Sequence, residues 1–326
     1  MADVPPDSCR LISIVIPVFD EEAVAELLFQ RLVGLGESLA PDRLEFVLVD
    51  DGSTDGTPEL LAALPARDAR FRVITLSRNF GHQAALTAGL DHARGDAVVF
   101  MDADMQDPPE VVVEMVAKWK AGADVVYGRR RERPADTFFK RLSASIFYWI
   151  LDRVGKVGIP KNVGDFRLLG RQAADALREL GERHRLMRGL SAWIGFRQTC
   201  VEYDRPARAA GETKYTLGRM ILLALDAVFS FSWVPLRLAS LAGLAVVFIS
   251  SLFVFVNVLL RLFTDVVVPG WTSIVALICF VGGMNLLMLG ILGEYVGRIF
   301  EEVKRRPLYL VRSVTGPGPP DAANEP

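Results

Sequence analysis

Two long apolar runs near the C-terminus, Leu238 to Leu260 and Val266 to Gly293, contain no Asp, Glu, Lys or Arg. At about 1.5 Å rise per residue the first makes a helix roughly 34 Å long, enough to cross a hydrocarbon core of about 30 Å, and the second is longer. A pair of buried core helices is the competing reading, but length and absence of charge favour membrane spans. Only Arg261 to Asp265 separate the runs, and Pro269, Gly270 and Trp271 stand at the start of the second, which reads as a tight hairpin. Arg237 precedes the first run, and Arg298, Lys304, Arg305, Arg306 and Arg312 follow the second, whereas the connection offers only Arg261. The excess of basic residues on cytoplasmic flanks then places both ends in the cytoplasm.

The rest of the 326-residue, 51% hydrophobic chain is long enough before Leu238 for one domain with a sizeable core. A net charge of −2 implies no bulk attraction to nucleic acid. Met1 to Arg10 lacks an apolar signal-peptide core, so the N-terminal domain is expected in the cytosol. Cys9, Cys200 and Cys279 are scattered without zinc spacing and suit a reducing compartment. Gly316 to Pro326, rich in Pro, Gly, Ala and acids, reads as a disordered tail.

Before Leu238, short β-branched runs alternate with helical patterns. Leu11 to Ile16, Leu44 to Val49, Phe71 to Leu76, Ala97 to Met101 and Asp124 to Tyr127 read as strands; Glu21 to Leu39, Thr57 to Leu64, Gln83 to Ala93 and Glu110 to Ala121 read as helices between them. This rhythm predicts an α/β fold with a mostly parallel sheet covered on both faces, whose ligands bind beyond the carboxyl ends of the strands. The unusual residues stand at those ends: Pro17 to Glu22, Asp50 to Thr57, Ser77 to Gly81, and Asp102-Ala103-Asp104.

Asp-Gly-Ser-Thr-Asp-Gly is also good turn chemistry, and alone it reads equally well as a plain turn. Asp102 and Asp104 could form a solvated acidic loop, but two carboxylates two residues apart at one strand end repel each other and ask for a cation. Hard oxygen ligands favour Mg²⁺ or Mn²⁺ bridging to the phosphates of a nucleotide leaving group. The chain lacks a Gly-x-x-x-x-Gly-Lys-Ser/Thr phosphate loop and a Gly-x-Gly-x-x-Gly dinucleotide turn, which weakens kinase, ATPase and dehydrogenase readings.

The segments Val15 to Glu22, Val49 to Thr57, Ser77 to Gly81 and Asp102 to Glu110 resemble family 2 glycosyltransferases of GT-A fold. The resemblance is greatest to the polyprenyl-phosphate glycosyltransferases, relatives of dolichyl-phosphate mannose synthase, and among them to the bacterial undecaprenyl-phosphate glucosyltransferase type with a two-helix membrane hairpin. It implies an inverting transfer of a hexose from a UDP-sugar, UDP-glucose first, to undecaprenyl phosphate on the cytoplasmic membrane face, for modification of cell-envelope glycans such as lipopolysaccharide. GDP-mannose with a dolichol-type lipid is the alternative within the class. A catalytically silent, nucleotide-binding membrane scaffold is the alternative outside it.

By position, the resemblance places Pro17, Asp20, Glu22, Asp50 and Asp51 around the nucleoside, with Arg78 in the same donor-side set. It places Asp102 and Asp104 on the metal, and Gln106 near the donor. Asp165, in Gly164-Asp165-Phe166-Arg167, matches the acceptor-side acid and is the candidate general base; Arg205 to Tyr215 matches a basic active-site loop. A phosphate monoester is largely dianionic at neutral pH, so Asp165 could equally orient the acceptor or the metal, or simply cap a helix. Arg130, Arg205, Arg208 and Lys214 are the candidate cations for the acceptor phosphate, Arg208 first. The chain lacks the Gln-x-x-Arg-Trp motif of processive synthases, favouring single transfer.

The expected organisation is an extension (1–10), a GT-A domain (11–218) with an interfacial helix near 137–151, and a second interfacial helix (219–236). A membrane hairpin (237–297; spans about 238–260 and 268–293) and a basic segment with tail (298–326) follow. Both interfacial segments could instead be ordinary amphipathic helices packed on the sheet. His82 and His92 show no metal spacing and read as surface or donor-loop residues. The expected location is a multi-pass protein of the bacterial inner membrane with both termini cytosolic, and homo-oligomerisation is left open.

Overall fold

The computed structural model describes residues 9–131, 163–183, 185–204, 234–263 and 270–317. These form two compact units, one built from the described residues up to Asp204 together with 307–317, the other from 234–306.

In the first unit β1 (Leu11–Val18), β2 (Arg43–Asp50), β3 (Phe71–Leu76), β4 (Ala97–Phe100), β5 (Val125–Arg130), β6 (Val163–Gly170), β7 (Gln198–Tyr203) and β8 (Val311–Thr315) make one sheet in the order β7-β5-β6-β4-β1-β2-β3-β8. β1 pairs in parallel with β2 and β4, β2 with β3, and β5 with β7; β6 and β8 run the other way. The helices of this unit are α1 (Glu22–Ser38), α2 (Thr57–Arg67), α3 (His82–His92), α4 (Val111–Lys120), α5 (Arg171–Glu179) and α6 (Met187–Trp193).

Strand alternation sends Ile12, Ile14 and Ile16 of β1 to one face, where they share a buried cluster with Leu28 and Leu32 of α1, Leu61 of α2 and Met115 of α4. Val15 and Val49 point to the opposite face, where they reach Gly89 of α3. A sheet apolar on both faces needs cover on both, which is why the central strands read as near-continuous hydrophobic runs. The mostly parallel α/β arrangement meets the GT-A expectation.

β6, β7 and β8 were not anticipated. In β6 the charged residues Asp165 and Arg167 break the apolar run, although Arg167 is only 2% exposed. Val311–Thr315 falls in the stretch read as a basic segment and tail, and its residues are all exposed, yet it pairs along β3 from Val73 to Leu76.

The second unit consists of α7 (Val234–Phe263) and α8 (Trp271–Lys304), which contact each other. Gly243 lets them approach closely: a Cβ there would come within 2.8 Å of Met288 Cε. One stretch of 25 residues, Phe280–Lys304, is long and apolar enough to cross a membrane, with mean hydropathy 1.4, and the apolar stretch Ala239–Phe253 is shorter. Of the two expected spans, one therefore meets the length requirement among the described residues. The expected interfacial segments 137–151 and 219–233 lie outside the described residues.

Candidate active site

The acidic loops converge at the carboxyl ends of β1, β2 and β4, and the topology brings β6 to the same place. β6 is antiparallel to β4 with Phe100 opposite Arg167, so Asp165 stands beside the loop that begins with Met101 and Asp102. β5 ends at Arg130 opposite Tyr203 of β7, which closes that side.

The first three loops are knitted together by their own carboxylates. Asp20 accepts hydrogen bonds from the Thr54 amide at 2.7 Å and its hydroxyl at 3.3 Å, and Glu22 accepts from the Gly56 amide at 3.1 Å. Asp51 Oδ1 and Oδ2 accept from the Phe80 and Gly81 amides at 2.7 and 2.9 Å. Burial pushes the Asp51 carboxyl up despite those amide bonds. Gly52, at φ 72°, sits where a Cβ would fall 2.5 Å from the Arg78 backbone, so only glycine allows the second and third loops to meet. Asp50 is 1% exposed; its Oδ1 accepts from the Ser53 amide at 2.9 Å, and its Oδ2 has no hydrogen-bond partner among the described residues. Pro17 is buried in β1, and Arg78 is exposed with its guanidinium 4.1 Å from the centre of the Phe80 ring. Asp20, Glu22 and Asp51 thus hold loop to loop.

The fourth loop gathers negative charge. Burial, with Asp107, Asp165 and Asp104 nearby, pushes Asp102 up to about 6, against the pull of His82. Asp104 Oδ1 accepts from the Gln106 amide at 3.0 Å across Met105, which stands at φ 60°. Gln106 and Asp107 are buried, and Asp107 accepts from the Tyr203 hydroxyl at 2.6 Å. Arg130 donates to the Tyr203 hydroxyl at 3.3 Å and lies against Gly164, where a Cβ would meet Nη2 at 2.7 Å. Burial works against the Arg130 charge, but the Tyr203 hydrogen bond and the nearby acids raise its pKa. Burial and Asp107 in turn push the Tyr203 hydroxyl well above its ordinary range.

His82, the first residue of α3, bridges the two acidic groups: its Nε2 is 3.5 Å from Asp102 Oδ1 and 3.7 Å from Asp165 Oδ2. Burial alone would lower the His82 pKa, but Asp165, Asp102 and Asp51 outweigh it and raise it. At Asp165 burial opposes ionisation, but the His82 hydrogen bond and the charges of Arg167 and Arg188 overcome it and hold the carboxyl well below the usual range. Asp165 Oδ2 accepts from Gln83 Nε2 at 2.9 Å, while Oδ1 is buried with no hydrogen-bond partner among the described residues. Arg167 donates to the Gly164 carbonyl at 2.5 Å and to the Ser191 hydroxyl, and burial lowers its pKa to about 10.

Sequence reasoning missed His82, Gln83, Tyr203 and Arg188; its sole hint was that His82 and Gln83 directly follow the Ser77 to Gly81 motif. Of the residues singled out in the sequence, Asp51, Asp102, Asp104, Gln106, Arg130 and Asp165 stand at this end of the sheet, whereas Arg205, Arg208 and Lys214 lie outside the described residues. The donor set fits a hard divalent cation. Asp102 is crowded by other carboxylates and holds its proton unusually tightly, a repulsion that a cation relieves. Among the described residues no group of three or more His, Cys, Asp or Glu side chains is placed to hold a metal ion.

The family model for glycosyl transferase family 2 matches residues 13–178. An uncharacterised glycosyltransferase of Bacillus subtilis, YkcC, is 45% identical over 93% of this chain and 94% of its own. The prophage-derived bactoprenol glucosyl transferase of Shigella flexneri is 40% identical over 92% of this chain and 97% of its own. Glucosyl-3-phosphoglycerate synthase from Mycobacterium tuberculosis overlays with a TM-score of 0.46 at 20% identity, covering 68% of this chain and 78% of that one. Because the family model spans the acidic loops and the β6 aspartate, and the Bacillus subtilis relative is 45% identical over 93% of the chain, the chain belongs to glycosyl transferase family 2 and is a glycosyltransferase.

Proposed function

We propose that this enzyme transfers glucose, with inversion, from UDP-glucose to undecaprenyl phosphate at the cytoplasmic face of a membrane. The observation that carries the reading is the 40% identity to a bactoprenol glucosyl transferase over 92% of this chain, a span too long to leave out the α7–α8 segment.

The loops Asp20–Glu22, Asp50–Gly56 and Ser77–Gly81 form the donor end, and Asp51 stiffens it by tying β2 to the Phe80 and Gly81 amides. Asp102 and Asp104 would hold Mg²⁺ or Mn²⁺, which supplies positive charge to a leaving diphosphate. Beside His82 and Gln83, with the charges of Arg167 and Arg188 favouring its ionised form, Asp165 is read as the carboxylate that orients the acceptor side. That suits an acceptor which is already a dianionic nucleophile at neutral pH. Arg130, fixed by Tyr203, brings cationic charge to the same end. By the family resemblance Arg205, Arg208 and Lys214 join it at the acceptor phosphate.

Connectivity supports a membrane hairpin. Among the described residues the sheet unit holds Asp204 before the helical unit and Val311 after it, because β8 pairs with β3. Whatever crosses a bilayer in between must therefore cross an even number of times. If Phe280–Lys304 crosses, a second crossing is required, and α7, with the apolar stretch Ala239–Phe253, is its source. Because residues 280–293 alone make only about 21 Å of helix, the crossing would also draw on the turns of α8 from Trp271, with the charged turns from Glu294 at headgroup depth.

The test is label transfer. Full-length protein in liposomes should move radiolabelled glucose from UDP-glucose into a lipid extract only with undecaprenyl phosphate and a divalent cation. Transfer from GDP-mannose instead would change the sugar and keep the class. Nucleotide binding with no transfer from any donor would leave a silent scaffold.

A further inference from the structure

The Asp165 carboxylate has two unequal oxygens: Oδ2 lies beside both Gln83 and His82, and of the two Gln83 makes the shorter contact. Gln83 Nε2 donates to Asp165 Oδ2 at 2.9 Å, while Gln83 Oε1 accepts from the Met187 amide at 2.8 Å. An amide has one accepting and one donating end. The Met187 N–H therefore dictates which way round Gln83 stands, and its NH₂ must face the carboxylate. The terminal torsion of an aspartate is broad and roughly two-fold, so without such a partner the two oxygens would interchange. Gln83 satisfies Oδ2 and leaves Oδ1 buried without a partner among the described residues. A buried carboxylate oxygen without a hydrogen bond is costly unless a ligand completes it. Gln83 stands in the first turn of α3, where the Thr87 hydroxyl donates to its backbone carbonyl at 2.8 Å.

We propose that Gln83 is a positioning residue for sugar transfer: it pins the Asp165 carboxylate so that Oδ1 faces the reacting groups, and ties it to the first turn of α6 at Met187. The proposal rests on the reading of Asp165 as the carboxylate that orients the acceptor side. Gln83 touches no substrate in this account, so it acts on turnover through Asp165 and leaves the donor loops alone.

A double-mutant cycle on full-length protein in liposomes tests this, with nucleotide affinity measured by calorimetry on every variant. Gln83→Met keeps side-chain length and removes both hydrogen bonds. It should lower kcat about ten- to a hundredfold with the KM for the nucleotide sugar changed less than about twofold. Asp165→Asn should lower kcat further, and adding Gln83→Met to it should cost nothing more, because the carboxylate that Gln83 positions is gone. The pair Gln83→Glu with Asp165→Asn restores an amide-to-carboxylate hydrogen bond with the charge moved. It should recover the Tm lost in Gln83→Glu alone while kcat stays at the Asp165→Asn level. Losses that multiply in the double variant, or a raised donor KM with kcat intact, would overturn the positioning role while leaving the glucosyl-transfer reading in place. Full activity of Asp165→Asn would instead remove the reading on which the proposal rests, and the proposal with it.

Discussion

The sheet unit and the helical unit are built from the same large apolar residues and treat them oppositely. In the sheet, Phe46, Phe71 and Ile14 are 0% exposed, whereas Leu244, Phe248 and Leu286 on α7 and α8 are 67%, 69% and 71% exposed. The sheet also gathers carboxylates at one end, while the described part of α7 carries no acid. Each unit would fail in the other's surroundings. Water is the wrong solvent for helices that show this much leucine and phenylalanine, and hydrocarbon is the wrong solvent for Asp102 beside Asp165. The difference puts the clustered carboxylates in one unit and the exposed apolar surface in the other, and the chemistry and membrane residence proposed for them can be tried separately.

The largest effect is expected at the acidic loop. Asp104→Asn should cut turnover by on the order of 10³-fold while the protein stays in the membrane fraction, because it removes one of two carboxylates offered to the cation. A chelator should do the same to the parent enzyme, and undiminished transfer in excess chelator would break the assignment.

Next come paired truncations of one residue type. Leu48 in β2 is 1% exposed, so Leu48→Ala should cost about 2–5 kcal/mol in denaturant unfolding. Leu244→Ala, at 67% exposed, should cost under about 0.5 kcal/mol. Equal losses would mean that the helical face is covered by protein.

Leu286→Arg sharpens the contrast from the other side. An arginine near a helix centre costs about 2.5–3.5 kcal/mol for insertion. Membrane fractionation should show the variant partly released, with nucleotide affinity unchanged. Retention in the membrane would place Leu286 off the lipid face.

The smallest effect is a pH dependence. The Asp102 carboxyl lies at about 6 against an unperturbed 3.8. Its proton is bound more tightly in the folded state, so this contribution to stability is fully present below 3.8 and is lost as pH rises through about 6. A divalent cation competes with that proton. The rise in Tm on adding Mn²⁺ should therefore be small near about pH 5 and level off by about pH 7. Equal shifts at both ends of this range would take Asp102 out of the cation site.

What could be read in the sequence follows from where the partners lie. β1 to β4 and their loops were legible because an apolar run followed by Asp, Gly or Pro is a local signal, and Asp102 with Asp104 is a local charge conflict. β6 was hidden because Arg167 is buried by a bond to Ser191, a partner that no window around Arg167 contains. The pairing of Asp107 with Tyr203 spans 96 positions, and that of Gln83 with Asp165 spans 82. His82 looked like a surface histidine for the same reason: its meaning comes from two carboxylates that only the crossover of β6 brings near. The hairpin was read from composition, which states what a segment dislikes but not how many times the chain crosses a bilayer.

β8 has a consequence for the order in which the molecule can be made. A chain synthesised from its N-terminus presents β3 long before Val311–Thr315 exists, and its edge stays open while α7 and α8 emerge. That edge, Phe71–Leu76, is mostly apolar, and until it is covered its unpaired backbone groups are open to another strand. The Leu310 carbonyl later takes the Ser77 amide at 2.8 Å, and the Tyr309 hydroxyl reaches Asp91 at 2.8 Å, closing it. The last strand of the sheet is therefore laid down only after α7 and α8 have been translated, so a molecule with a finished sheet has already made both of its long apolar helices.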